Sequence, residues 1–189
     1  MGIQISSSNL FDLFKFMEEA ELSIENLIDF CQKEAAKIAA RNGKKFVLEI
    51  DYSKSISEMI NAGKYSSVED FEMEQIVLPS DLIGKKIEVE AMLFHFGFEI
   101  STQDVILEMK KNNYRPANIF ELLSFGEKEN SWSEESFVLA FGTSFINDLQ
   151  ESRFFCIDFL NFEKEISFNS EIEDTNWSTK CFFLGIKEG

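Results

Sequence analysis

The sequence predicts an α+β protein: a helical hairpin over residues 1–43, then a mixed α/β unit over 44–189 that ends in a mostly antiparallel sheet. Three observations carry this reading. Apolar residues recur at helical spacing as far as Asn42-Gly43. From Lys44 the period drops to two, the spacing of a strand. The C-terminal third then repeats short runs rich in Phe, Val and Ile, divided by polar stretches, as strands and turns do. With 189 residues, 44% of them apolar, the chain is long enough to bury a sizeable core.

Leu10, Leu13, Phe14 and Met17 fall on one helical face, and Ser23 then reads as an N-cap with Asn26 three positions later. Ile24, Leu27, Ile28, Cys31, Ala35 and Ile38 continue the stripe to Asn42-Gly43, a helix stop. These two helices form the predicted extension, 1–43. Residues 44–52 (KKFVLEIDY) read as a strand, and 55–61 as a short helix closed by Ala62-Gly63. Residues 68–78 fit neither period. The longest strand signal is 85–100 (KKIEVEAMLFHFGFEI). Its apolar parity switches from Ile87, Val89 and Ala91 to Phe94, Phe96 and Phe98. That switch predicts either a bulge or burial on both faces. Ser101 with Asp104 caps a helix over 102–112, and a second helix runs from Asn118 to a stop at Gly126. Residues 127–135 read as a loop. Strands follow at 137–143, 154–159, 166–168 and 181–186.

Charge and composition exclude several classes. There are 34 acidic and 18 basic residues, a net charge of −16. Direct binding to nucleic acid or to an anionic membrane needs the opposite sign. No run of about 18 apolar residues predicts a spanning helix, and residues 1–9 lack the basic flank and apolar core of a secretory leader. Three cysteines, Cys31, Cys156 and Cys181, without a C-x-x-C pair predict neither a disulfide scaffold nor a zinc site. Each reads as a small buried hydrophobe, and the setting is cytoplasmic. No phosphate-binding glycine loop occurs, so nucleotide binding is not supported, and with one histidine and no C-x-x-C pair no metal or other cofactor is expected.

Several stretches together resemble a set of small uncharacterised proteins of candidate-phylum bacteria: DYSKSISEMINAGKY (51–65), LFHF (93–96), ISTQDVILEMKKNNYRPANIFELLSFGEK (100–128), FVLAFGTSF (137–145) and FFLGIK (182–187). That resemblance implies a family without an assigned activity. Residues 115–187 also resemble the bacterial C-type-lectin-like fold, in Arg115-Pro116-Ala117 with Glu121-Leu122, in Gly142-Thr143-Ser144, and in the closing FFLGIK. This implies a scaffold that presents a ligand on loops between 145 and 180. The calcium motifs of animal lectins are absent, so calcium and sugar binding are not implied.

Candidate chemistry is sparse. His95, the one histidine, sits between Phe94 and Phe96 and reads as structural, because a general base needs a positioned partner and an open cleft. Glu88 and Glu90 share a strand face, where alternate carboxylates are ordinarily solvated. Asn169, Glu171, Glu173 and Asp174 form an oxygen-rich loop without the spacing of a calcium loop. No catalytic or metal-binding residue is assigned. Trp132 and Trp177, with Asn176 beside the latter, lie in polar segments and are the candidate binding residues, since an exposed loop Trp can anchor an interface. The other placement for each Trp is folded back on the sheet. The expected function is a non-enzymatic acidic module that binds a protein partner or presents a ligand. Two alternatives are an acidic DNA mimic that occupies a nucleic-acid-binding protein, and an enzyme of unrecognised type.

Overall fold

The computed structural model describes residues 15, 23–41, 43–69, 76, 80–129, 136–146, 152–160, 163–170 and 176–189. The chain divides into two units, Met1–Ala35 and Ala36–Gly189, and the division falls inside helix α1, Ile24–Arg41. Ser23 and Asn26 cap α1 reciprocally: Asn26 N–H donates to Ser23 Oγ (3.2 Å) and Ser23 N–H to Asn26 Oδ1 (2.9 Å). Asn thus serves where a capping box ordinarily has Glu or Gln. Ile24, Ile28 and Phe30 are exposed on α1. So is Cys31, which corrects the expectation that all three cysteines are buried. The first helix of the predicted hairpin lies outside the described residues except for Lys15, which is helical, and most of 68–78 lies outside them too.

The second unit runs β1 (Lys45–Asp51), α2 (Ile56–Gly63), β2 (Ser67–Val68), β3 (Lys86–His95), α3 (Thr102–Lys111), β4 (Tyr114–Pro116), α4 (Ile119–Lys128), β5 (Ser136–Ile146), β6 (Ser152–Leu160), β7 (Glu163–Ser170) and β8 (Cys181–Lys187). Among the described residues this is an α+β fold with one mixed sheet of eight strands. Its order is β1-β3-β8-β5-β6-β7-β2, with β4 also on β8. Pairing is antiparallel except for β5 with β8 and β2 with β7.

Core lies on both faces of the sheet. On one, Leu48, Ile50, Ala91, Leu93, Phe155, Ile157 and Leu184 meet α2 and α4 through Met59, Leu122 and Phe125. On the other, Met92, Phe94, Leu139, Cys156 and Phe183 meet Val105 and Met109 of α3 and the Trp177 indole. The parity switch in β3 therefore has its reason. Residues 91–94 are all buried, and the registers with β1 and β8 run through without a break. Of the two alternatives that the sequence pattern left open, burial on both faces holds and the bulge does not.

Two glycines admit close approach. Ala117 C=O accepts from Gly142 N–H (2.8 Å), and a Cβ on Gly142 would sit 2.7 Å from that oxygen. The strand β5 can therefore slip past the end of β4, and its register on β6 shifts between Ala140 and Ser144. Gly126 does not stop α4, which continues to Lys128. A Cβ there would lie 2.0 Å from Tyr65 Oη and 2.7 Å from Ile157 Cδ1, so packing rather than helix termination requires the glycine. Likewise α2 closes one residue later than predicted, with Lys64 in the left-handed region (φ 55°). No helix among the described residues is long and apolar enough to cross a membrane.

Candidate functional site: the open edge of the sheet

Among the described residues β1 lies at one end of the sheet and pairs only with β3. Leu93 N–H donates to Lys44 C=O and Tyr52 N–H to Lys85 C=O. In an antiparallel ladder such pairs alternate. The even-numbered residues of β1 therefore exchange hydrogen bonds with β3. The backbone groups of Lys45, Val47, Glu49 and Asp51 point away from it. Two of these outward carbonyls are occupied: Lys128 Nζ donates to Val47 C=O, and Lys54 N–H to Asp51 C=O (3.2 Å). The N–H groups of Val47 and Glu49 and the Glu49 C=O have no partner among the described residues.

A groove of about 560 Å³ runs along this edge, lined by Val47, Glu49, Met59, Glu88, Ser124 and Lys128 among others. Its helical wall is held from two sides. Ser55 and Glu58 form a capping box at the start of α2. Asn118 and Glu121 form another at the start of α4. Glu121 is fully buried. It accepts hydrogen bonds from Arg115 Nη1 (3.0 Å) and Nη2 (2.6 Å), Tyr52 Oη (3.1 Å) and the Asn118 N–H (2.7 Å). A buried carboxylate is tolerated when it is paired and bonded in this way. Since Tyr52 directly follows β1, the network fixes that strand relative to α4.

Charge along the edge is uneven. Asp51 accepts from Ser53 and pairs with Lys86 (2.9 Å), which together hold its carboxyl down to about 2. Lys54 pairs with Glu127 at 4.0 Å. Glu90 is held down to about 2 chiefly by the Tyr114 hydroxyl (2.5 Å), then by Lys45 and Lys187. Between these satisfied groups, Glu49 and Glu88 stand directly opposite each other and form no ion pair among the described residues. They occupy a non-hydrogen-bonded position, where Cβ atoms lie about 4.5–5.5 Å apart and like charges destabilise.

The residues singled out from the sequence are distributed elsewhere. Trp132 lies outside the described residues, and so do Glu171, Glu173 and Asp174. Trp177 is only 8% exposed. Its indole N–H donates to Thr102 Oγ1 (2.8 Å), and its ring packs on Phe141 at 5.4 Å. It is folded back on the sheet and does not project from a loop, because the Ile100–Trp177 bridge draws the segment onto β3's end of the core. Asn176 beside it is exposed. His95 stacks on Phe182 (4.3 Å) and donates from Nε2 to Thr179 C=O (2.8 Å). Glu88 and Glu90 do share a face, in the different settings described above. Among the described residues no group of three His, Cys, Asp or Glu side chains is arranged to hold a metal. A second groove of about 600 Å³, at the start of α4, is lined by Arg115, Asn118, Phe120 and Thr143. The polar groups of its floor are engaged: Thr143 Oγ1 accepts from Ile119 N–H, and Arg115 is committed to Glu121.

Sequence reasoning passed over the β1 edge. The signal was present in KKFVLEID, since Val47 and Glu49 alternate with core residues, but strand order decides which edge stays open. No family model, no curated protein and no solved structure matches this chain.

Proposed function

We propose that the chain is a non-enzymatic protein-binding module that takes an extended segment of a partner along the outer edge of β1 by strand addition. One observation carries this: successive outward N–H groups of Val47 and Glu49, with the Glu49 carbonyl, face a groove walled by α2 and α4. Strand addition uses main-chain hydrogen bonds for affinity and side-chain pockets for specificity. Each backbone bond contributes about 0.5–1.5 kcal/mol net. Val47, 51% exposed, adds apolar area beside them. The resemblance of 115–187 to the bacterial C-type-lectin-like fold belongs to the same proposal, as a scaffold that presents a ligand. Of the other readings, the DNA mimic is less favoured. Carboxylates such as Asp51 and Glu90 are paired with lysines and are not arrayed in bare rows.

The test is selection of a displayed library of random linear peptides on the full chain, followed by amide exchange on the complex. The expected result is enriched peptides that protect the Val47 and Glu49 amides. Val47→Pro removes an outward donor while leaving the ladder to β3 intact, as an edge strand tolerates, and is expected to abolish binding without unfolding. Failure to enrich any peptide, or protection confined to other strands, overturns the proposal.

A further inference from the structure

We infer that the segment docking on β1 carries a Lys or Arg directly opposite Glu49. This rests on the strand-addition reading and specifies the partner's chemistry. Side chains of a paired strand lie on the same face as those they oppose. A residue added opposite Glu49 therefore joins the row Glu49–Glu88. Both carboxylates are exposed, stand opposite each other, and form no ion pair among the described residues. Lys86, on the same face, is committed to Asp51 (2.9 Å). A cation in the third strand of this row relieves the like-charge repulsion and finds two carboxylates within reach of one flexible stem.

The flanking positions of the row already carry their own partners, which fixes the location of the cation. Toward one end, Glu90 is engaged by Lys45, Lys187 and Tyr114. Toward the other, Asp51 is engaged by Lys86 and Ser53. Among the described residues of this row, the Glu49–Glu88 step is the one whose carboxylates form no ion pair, and Lys86 acts on Glu49 only from beyond ion-pair distance while it is bonded to Asp51. The inference therefore names one basic position in the segment and not a generally basic peptide. The net charge of −16 favours approach of such a partner but does not position it.

The experiment compares selections of the same random linear-peptide library on the natural chain and on the Glu49→Lys/Glu88→Lys variant, both checked for folding by circular dichroism. Expected is enrichment of Lys or Arg at one fixed position on the natural chain, and of Asp or Glu at that position on the variant. The Glu49→Gln/Glu88→Gln variant is expected to bind the basic winners at least tenfold more weakly, with a reduced salt dependence. Basic residues scattered without a fixed position, or no swap on charge reversal, would overturn this inference. Peptides sensitive to Val47→Pro but indifferent to both charge variants would overturn it while leaving strand addition intact. Enrichment of nothing would overturn both.

Discussion

Arg115→Met isolates the polar network that ties β1 to α4. The substitution keeps an aliphatic stem and removes both guanidinium bonds to Glu121, of 3.0 and 2.6 Å. Two hydrogen bonds to a charged group at about 1.5–3 kcal/mol each give an upper range of about 3–6 kcal/mol. Breaking one partner of a buried ion pair gives about 3–5 kcal/mol. The Arg115 side chain is 39% exposed whereas that of Glu121 is not exposed, so water reaches the guanidinium and the lower end applies. The expected loss is about 3 kcal/mol, or about 6–12 °C in Tm for a domain of this size. Urea unfolding at pH 7 and thermal circular dichroism read it. Adding Glu121→Gln should recover at least about 1 kcal/mol, because a neutral amide removes the stranded charge and Gln also serves in a capping box. A loss under about 1 kcal/mol for Arg115→Met, or strict additivity in the double variant, would refute the view that a buried carboxylate is held here by its arginine.

Gly126→Ala is expected to destabilise: overpacking costs about 1–3 kcal/mol, against about 1 kcal/mol gained in helix propensity. The nearest obstruction is Tyr65 Oη, so the same change costs less in a Tyr65→Phe background, as a urea double-mutant cycle would show. Glu90 is held down to about 2 in the fold from an ordinary value of 4.5. Its contribution is therefore full above about pH 4.5 and lost as pH falls toward 2. Urea midpoints between pH 6 and 2 should fall less steeply for Glu90→Gln, and parallel profiles would count against the cluster with Tyr114. Burial pushes Tyr52 up to about 12, with the Glu121 charge adding to it, and burial raises Tyr65 and Tyr114 as well. The neutral phenols favour the fold, so this stabilisation is present below pH 10 and lost as pH rises from 10 toward 12. Absorbance at 295 nm should show all three tyrosines ionising above pH 10 in the folded chain and near 10 in urea.

The α+β class and most elements were legible because their signals are local. Alternation in 44–52, the Ser101 cap and the Phe-rich runs each report a period that burial enforces. The errors share a different origin. Gly126 reads as a helix stop by local propensity, and only the approach of Tyr65 and Ile157 explains it inside α4. β4 is three residues long and exists because β8 extends past β5, which no local pattern encodes. Trp177 occurs in a polar stretch, yet the bridge to Ile100 places it in the core. The β1 edge escaped notice for the same reason: being last in a sheet is a property of strand order, not of the strand.

The central position of β8 bears on how the chain is made. β3, β4 and β5 all pair with it, and it follows every other strand in sequence. Before β8 is available the chain holds two sub-sheets, β1 with β3 and β5–β6–β7–β2, that share no pairing with each other among the described residues. The inner edges of β3 and β5 stay bare until residues 181–187 leave the ribosome. Bare edges are templates for pairing with other chains, and contacts as distant as Ala91 with Ile186 close slowly. A chain cut short before Cys181 therefore leaves both inner edges bare at once, with Leu93, Phe94, Val138 and Leu139 lacking the strand that covers them.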